Sequence, residues 1–269
     1  MSASPSLLPC SAIVTRLRAA GCVFAEDEAR LLLSTARTAE DLAVMVDRRA
    51  AGMPLEHVLG WAEFCGLRVS VDPGVFVPRR RTEFLARLAV ALAPARAVLV
   101  DLCCGSGAVG AAVAGVVDQA ELYASDIDPA AVRCARRNVA GCGGQVHQGD
   151  LYESLPGSLR GRVDVLIANV PYVPTDAVGL LPTEARVHEP RVALDGGSDG
   201  LDVLRRVAAG APQWLAPGGS LLVETSERQA RQAVETIAGS GLTARMDGSD
   251  ELNATVVIGT RPALPRRSD

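Results

Sequence analysis

The stretch VDVLIANVPYVPTDA, Val163 to Ala177, breaks an apolar run at an uncharged amide and follows it with a proline and an aromatic. Asn169, at the end of that run, offers a side-chain oxygen, and Val170 adds a backbone carbonyl. Together they can accept both N–H bonds of another amide or amine. Pro171 stiffens the loop, and Tyr172 gives a flat apolar wall. An amide nitrogen is a poor nucleophile because its lone pair is delocalised, so a site acting on one must work by positioning and preorganised dipoles. The plain alternative is that Asn169 caps a turn and Tyr172 packs in the core.

A second constellation lies upstream. In VLVDLCCGSGAVG an apolar run ends at Asp101 and passes through Cys103, Cys104, Gly105, Ser106 and Gly107. Glycines allow close backbone approach to a ligand, and the following helix start offers free amides. Asp126 in LYASDID, with Ile127 behind it, follows the glycines by about 20 residues, the distance at which an acid meets ribose hydroxyls. A nucleoside-containing cofactor is implied. Gly105-x-Gly107-x-x-Gly110 also satisfies the dinucleotide fingerprint, so this motif alone leaves NAD open. In HQGDLY, Asp150 and Leu151 could bracket an adenine, although Gly-Asp is also ordinary turn chemistry.

These residues need strand ends to carry them. AVLVDL, ELYASD, VDVLIAN and SLLVET alternate with helical segments, which predicts an α/β fold with a mostly parallel sheet and a cleft at its carboxyl ends. Upstream, Ile13, Val14 and Leu17 share a helical face, Leu31 to Leu33 anchor a second segment, and Thr38-x-x-Asp41 signals a third helix start. From Phe64 the period becomes two, and a hairpin turning at Pro73-Gly74 is expected. Hydrophobic residues make up 48% of the 269 and aromatics 3%, so the core must be built from Ala, Val and Leu. The formal charge of −4 counts against a broad nucleic-acid surface. Seven cysteines without a CxxC pair read as reduced, apolar-like thiols, and no metal site is expected. The absence of a long uncharged apolar run or a signal-like start predicts a cytoplasmic protein with no membrane partner.

Placed after a glycine loop and a ribose acid, Asn-Val-Pro-Tyr resembles the (N/D)PP(Y/F) motif of S-adenosylmethionine-dependent amino-group methyltransferases. RRAAGMPLEHVLGWAEFCGLRVSVDPGVFVPR and PTEARVHEPRVALDGGSDGLDVLRRVAAGAP are similar to the HemK-type protein-(glutamine-N5) methyltransferases. The resemblance implies a Rossmann-like class I methyltransferase sheet over 79–262, a helical substrate-docking domain over 1–62, a β-hairpin linker over 63–78 and a disordered tail over 263–269. It implies S-adenosylmethionine held by Asp101, Cys103, Cys104, Gly105, Ser106, Gly107, Asp126, Ile127, Asp150, Leu151 and Asn169. Asn169, Val170, Pro171 and Tyr172 would hold the acceptor, the glutamine of a peptide-chain release factor or related protein, with nucleic acid met only through a ribosome-associated substrate. Val170 stands where the motif has its first proline. Arg79, Arg80 and Arg81 depart from Pro-Arg-Pro-x-Thr-Glu, and the reading favoured for them is a solvated charge cluster. Competing readings are an adenine N6-methyltransferase acting on a flipped base, a cofactor-binding protein that has lost activity, and an NAD-dependent dehydrogenase.

Overall fold

The structure is a computed structural model and describes residues 9–263; all of the expected tail except Ala263 lies outside the described residues. The chain begins with α1 (Cys10–Ala19), α2 (Ala25–Thr35), α3 (Ala39–Ala50) and the short α4 (Leu55–Leu59). The expected cap of α3 is present. Thr38 Oγ1 accepts the Asp41 N–H at 3.1 Å, and Asp41 Oδ2 in turn accepts the Arg37 N–H. Ile13, Leu17, Leu32, Leu42 and Val46 form a core of their own. Of the run Leu31 to Leu33 only Leu32 is fully buried, because one position per turn faces inward.

At the centre of this bundle sits an ionic group. Arg49 is 7% exposed and donates through Nε and Nη2 to the buried Glu28 carboxylate at 2.6 and 3.1 Å. Its Nη1 meets Glu184, far along the chain, at 2.5 Å. A buried charge is tolerable only when paired, so this arginine ties the helices to the segment around Glu184.

After Gly60, left-handed at φ 79, the hairpin pairs β1 (Trp61–Phe64) with β2 (Leu67–Ser70). Its turn is Cys65-Gly66, where φ is +50 and +75, so both central residues occupy the region that hairpin turns with a matching twist require. The expected turn at Pro73-Gly74 is therefore wrong. Val75 to Val77 form no return strand because their backbone groups are taken by side chains. His57 Nε2 lies 2.8 Å from the Val75 carbonyl, and the Val77 N–H donates to Glu189 Oε1 at 3.1 Å.

The remainder runs α5 (Glu83–Leu92), β3 (Val98–Leu102), α6 (Ala108–Ala114), β4 (Glu121–Asp126), α7 (Pro129–Val139), β5 (Gln145–Gln148) and β6 (Val163–Ala168). Then follow α8 (Thr183–His188), α9 (Asp202–Trp214), β7 (Leu215–Thr225), α10 (Glu227–Gly239), β8 (Thr243–Ser249) and β9 (Ala254–Thr260). The sheet order is β5-β4-β3-β6-β7-β9-β8. Its first five strands are parallel, while β9 runs antiparallel to both neighbours. Order reverses between β3 and β6, so the cleft belongs at their carboxyl ends.

Alternate residues of β3 and β6 feed the two faces. Leu99, Val165 and Ile167 join one core, and Val98, Val100 and Leu166 the other. The small-residue composition acts at α6, whose Ala and Gly residues let it sit close to the sheet; a Cβ at Gly110 would lie 3.0 Å from Asp101 Oδ2. No helix among the described residues is long and apolar enough to cross a membrane.

Arg49→Met leaves Glu28 buried without its counter-charge. It is expected to lower the unfolding free energy by roughly 3 kcal/mol in urea titrations, and adding Glu28→Gln to recover part of that loss.

Candidate active site

A cavity of about 440 Å³ opens at the carboxyl ends of β3, β4 and β6. Its wall includes Cys103 to Ser106, Asp126, Ile127, Asp150, Leu151 and Asn169 to Tyr172, and Phe76, Arg79 and Arg81 close it from the segment ahead of α5. The two constellations read from the sequence thus meet in one place.

On the cofactor side the loop leaves β3 through Cys103 at φ +54 and Gly105 at φ +55, and reaches α6 through Gly107 at φ +75. A Cβ at Gly107 would lie 3.0 Å from that of Ala135, so glycine is needed there for both backbone and space. The Gly105 N–H donates to Asp126 Oδ2 at 2.8 Å, and the Asp128 N–H to its Oδ1 at 2.9 Å. Burial pushes the Asp126 carboxyl up, and these amides oppose it. A carboxylate has about four acceptor sites, so two are left for hydroxyls.

Ile127 is 50% exposed beside it, an apolar face of the kind an adenine covers. Leu151 holds φ +48, with its carbonyl accepting the Ser125 hydroxyl at 3.0 Å. Asp150 is bound at 2.7 Å by Arg206 of α9, a cleft residue that the sequence reading missed. Asp101 touches the cavity but spends Oδ2 on the Gly110 N–H at 2.9 Å, which holds the start of α6. Burial drives its pKa up to about 7. Burial also raises the thiols of Cys103 and Cys104, leaving both neutral.

On the opposite side Asn169 follows directly on β6, where Ala168 pairs with Leu102 and Val223. No hydrogen bond is made by the Asn169 side chain or the Val170 carbonyl among the described residues. Val170 is 2% exposed and belongs to the apolar cluster that includes Leu102, Leu201 and Val223, so the residue standing in for proline anchors the loop by burial.

The loop is also held from outside. Gln229 Nε2 donates to the Tyr172 carbonyl at 2.9 Å, and Val173 exchanges backbone bonds with Leu194 and Gly196. The Tyr172 hydroxyl lies 3.3 Å from Glu224 Oε1 and accepts Arg81 Nη2 at 2.5 Å. Burial, then the Glu224 charge, raises its pKa to about 12.

Arg79 to Arg81 are not the solvated cluster expected. Arg79 donates to both oxygens of Glu189 at 2.6 Å, and Arg81 Nε to Glu224 at 3.1 Å. Both glutamate side chains are buried, at 0% and 2% exposure, and a carboxylate out of water draws in whatever cation the chain can supply. Of these three, Arg80 is exposed and makes no ion pair among the described residues. Glu224 gave the same signal as Asp101 and Asp126, an acid ending an apolar run, and could have been found by it.

Fold and site together define a methyltransferase that uses S-adenosylmethionine. A family model of the methyltransferase small domain matches residues 66–197. A solved methyltransferase from Pyrococcus furiosus shares the fold at a TM-score of 0.55 and 17% identity, over 73% of this chain and 90% of that one. Release factor glutamine methyltransferases of Geobacter sulfurreducens and Mycolicibacterium smegmatis are 37% and 40% identical, each over 82% of this chain and over 79% and 81% of their own length. A 4-amino-L-phenylalanine/4-methylamino-L-phenylalanine methyltransferase of Streptomyces pristinaespiralis is 38% identical over 68% of this chain and 65% of its own. The chain belongs to the release factor glutamine methyltransferase family.

Asp101 predicts a pH signature. Below its ordinary value of 3.8 the carboxyl is protonated in both states, and between there and about 7 the unfolded chain gives up a proton that the folded chain keeps. Stability therefore falls with rising pH across that window, and the penalty is complete above it. Urea midpoints for Asp101→Asn are expected to gain on the unsubstituted protein from about pH 4 and to level off near pH 7.

Proposed function

We propose that this protein methylates the side-chain amide nitrogen of a protein glutamine, in a peptide-chain release factor or a related protein. The observation that carries the reading is the pair of unpaired acceptors, Asn169 Oδ1 and the Val170 carbonyl, at the end of β6. Such a pair matches the two N–H bonds of a primary amide. The charge balance supports it as well: on the acceptor side Arg79 is matched by Glu189 and Arg81 by Glu224, a setting suited to an uncharged acceptor. The release factor is drawn from the names of the relatives.

When bound, S-adenosylmethionine supplies an electrophilic methyl on a sulfonium centre. Asn169 Oδ1 and the Val170 carbonyl accept the two N–H bonds and fix the plane of the amide, so the nitrogen is aimed rather than deprotonated in advance. Tyr172 covers one face of that plane. The nitrogen sheds its proton only after the methyl has arrived, so the site calls for no strong base. Asp126 would take the ribose hydroxyls, Ile127 and Leu151 would enclose the base, and the loop from Cys103 to Gly107 would follow the rest of the cofactor. The helices up to about residue 62 would dock the protein substrate, the hairpin region 63–78 would link them to the catalytic domain over 79–262, and the protein would act in the cytoplasm.

A second reading has one observation behind it. The Streptomyces pristinaespiralis relative is named for an aromatic amine, and it matches this chain at an identity similar to that of the release factor enzymes. A small aryl amine could use the same two acceptors and the Tyr172 wall.

Labelled methyl transfer separates the two. A release factor should take label, the same factor with its Gly-Gly-Gln glutamine replaced by alanine should not, and 4-aminophenylalanine should stay unlabelled. Label on the amino acid alone would overturn the glutamine reading. Asn169→Ala is expected to lower kcat by about 10²-fold or more while cofactor affinity, read by calorimetry, changes by less than about threefold.

A further inference from the structure

Arg81 lies outside the acceptor motif and outside the cofactor loop, yet it is built into the wall of the cleft. Its side chain is 44% exposed, while the carboxylate it holds is 2% exposed. The guanidinium donates through Nε to Glu224 Oε1 at 3.1 Å and through Nη2 to the Tyr172 hydroxyl at 2.5 Å, with its carbon 5.8 Å from the centre of the Tyr172 ring. The same Glu224 oxygen lies 3.3 Å from that hydroxyl. Arginine, carboxylate and phenol thus form a closed triangle in which each member contacts the other two.

The triangle has a definite proton arrangement. A guanidinium only donates, so the Tyr172 oxygen accepts from Arg81 and its own proton is left for Glu224. That arrangement fixes the hydroxyl in space, and with it the ring. Glu224 is the penultimate residue of β7 and follows Val223, which pairs with Ala168, the residue before Asn169. The triangle is therefore anchored to the strand beside the one that presents the acceptor amide.

Tyr172 needs such a brace. Its carbonyl is tied by Gln229 at one end, and its ring would otherwise turn about the side-chain bonds. Arg81 holds the far end. Its counterpart Arg79 is spent on both oxygens of Glu189 and lies over Phe76 instead, so it cannot substitute.

We propose that Arg81 is a positioning residue for the acceptor, which locks the Tyr172 ring against Glu224 so that it forms a fixed wall of the slot at Asn169. This rests on the acceptor reading given above. Lysine cannot replace it fully, because a single ammonium lacks the planar fork that reaches carboxylate and phenol at once.

The test is a cycle of Arg81→Met, Tyr172→Phe and the double variant, with purified release factor as acceptor. Arg81→Met should raise the acceptor KM about tenfold, the cost of one lost charge-assisted hydrogen bond, with cofactor affinity unchanged. In the Tyr172→Phe background the same substitution should cost less than about twofold, because the hydroxyl through which it acts is gone. Arg81→Lys should recover part of the loss. Arg81→Met/Glu224→Gln keeps the test sound if the unpaired Glu224 charge unfolds the single variant.

A spectroscopic arm needs no acceptor. The chain has three tyrosines, so ring-carbon labelling gives three resonances, and Arg81→Met should move that of Tyr172. Equal cost of Arg81→Met with and without the hydroxyl, an equal loss of cofactor affinity, or an unmoved Tyr172 resonance would overturn the proposal. A moved resonance with no transfer to release factor by the unsubstituted protein would sustain the brace and remove the glutamine reading instead.

Discussion

A parallel sheet covered on both faces can offer polar chemistry only where its strands stop, and the rest of this structure follows from how each stop is satisfied. β3 ends near Asp101, β4 in Asp126, β6 just before Asn169 and β7 near Glu224. Each brings a polar group to the edge of an apolar interior, where burial without a partner is costly. Asp101 takes the start of α6, Asp126 takes two loop amides, and Glu224 takes Arg81 and Tyr172. Asn169, which lines the cleft, takes no partner among the described residues.

The same rule links distant parts of the chain. Glu189 lies on the stretch beyond the acceptor loop, and it fixes both Arg79 and the backbone of Val77 ahead of α5. Glu184 lies one element earlier and reaches Arg49 in the helical bundle. Two arginine–glutamate contacts, each with one buried partner, thus tie the cover of the cleft to the hairpin region on one side and to the helices on the other. Charges in a low-dielectric setting act here as fasteners of specific geometry, where apolar contacts alone would allow sliding.

Much of this was legible in residue types. The glycine loop, the acid that ends β4 and the asparagine after β6 stood out because polar residues ending apolar runs are uncommon without a purpose. The capping pair at Thr38 and Asp41 was equally plain. The hairpin was misplaced because Pro-Gly is the louder turn signal, whereas Cys65-Gly66 won through a cysteine at positive φ, which composition does not announce. The arginines were misread because their partners lie more than a hundred residues away; nothing local marks Glu189 as buried, and the apolar run before Glu224 does not say which cation meets it. β8 and β9 escaped notice for a similar reason. β8 is largely exposed and lacks an apolar signature, and only its pairing with β9 makes it a strand.

The reversed strand has a consequence for the order in which the site comes into being. β7 carries Glu224, and one of its edges is covered only by β9, whose residues 254–260 are synthesised after every residue of the cleft. During translation the strand that anchors Tyr172 therefore emerges with a bare row of backbone donors and acceptors, open to pairing with any extended segment nearby. Insertion of β9 between β7 and β8 closes that edge last. The glycine loop and Asp126 belong to β3 and β4, whose sheet neighbours all precede β7 in the chain, whereas the edge of the strand that carries Glu224 is covered only by a strand that follows it.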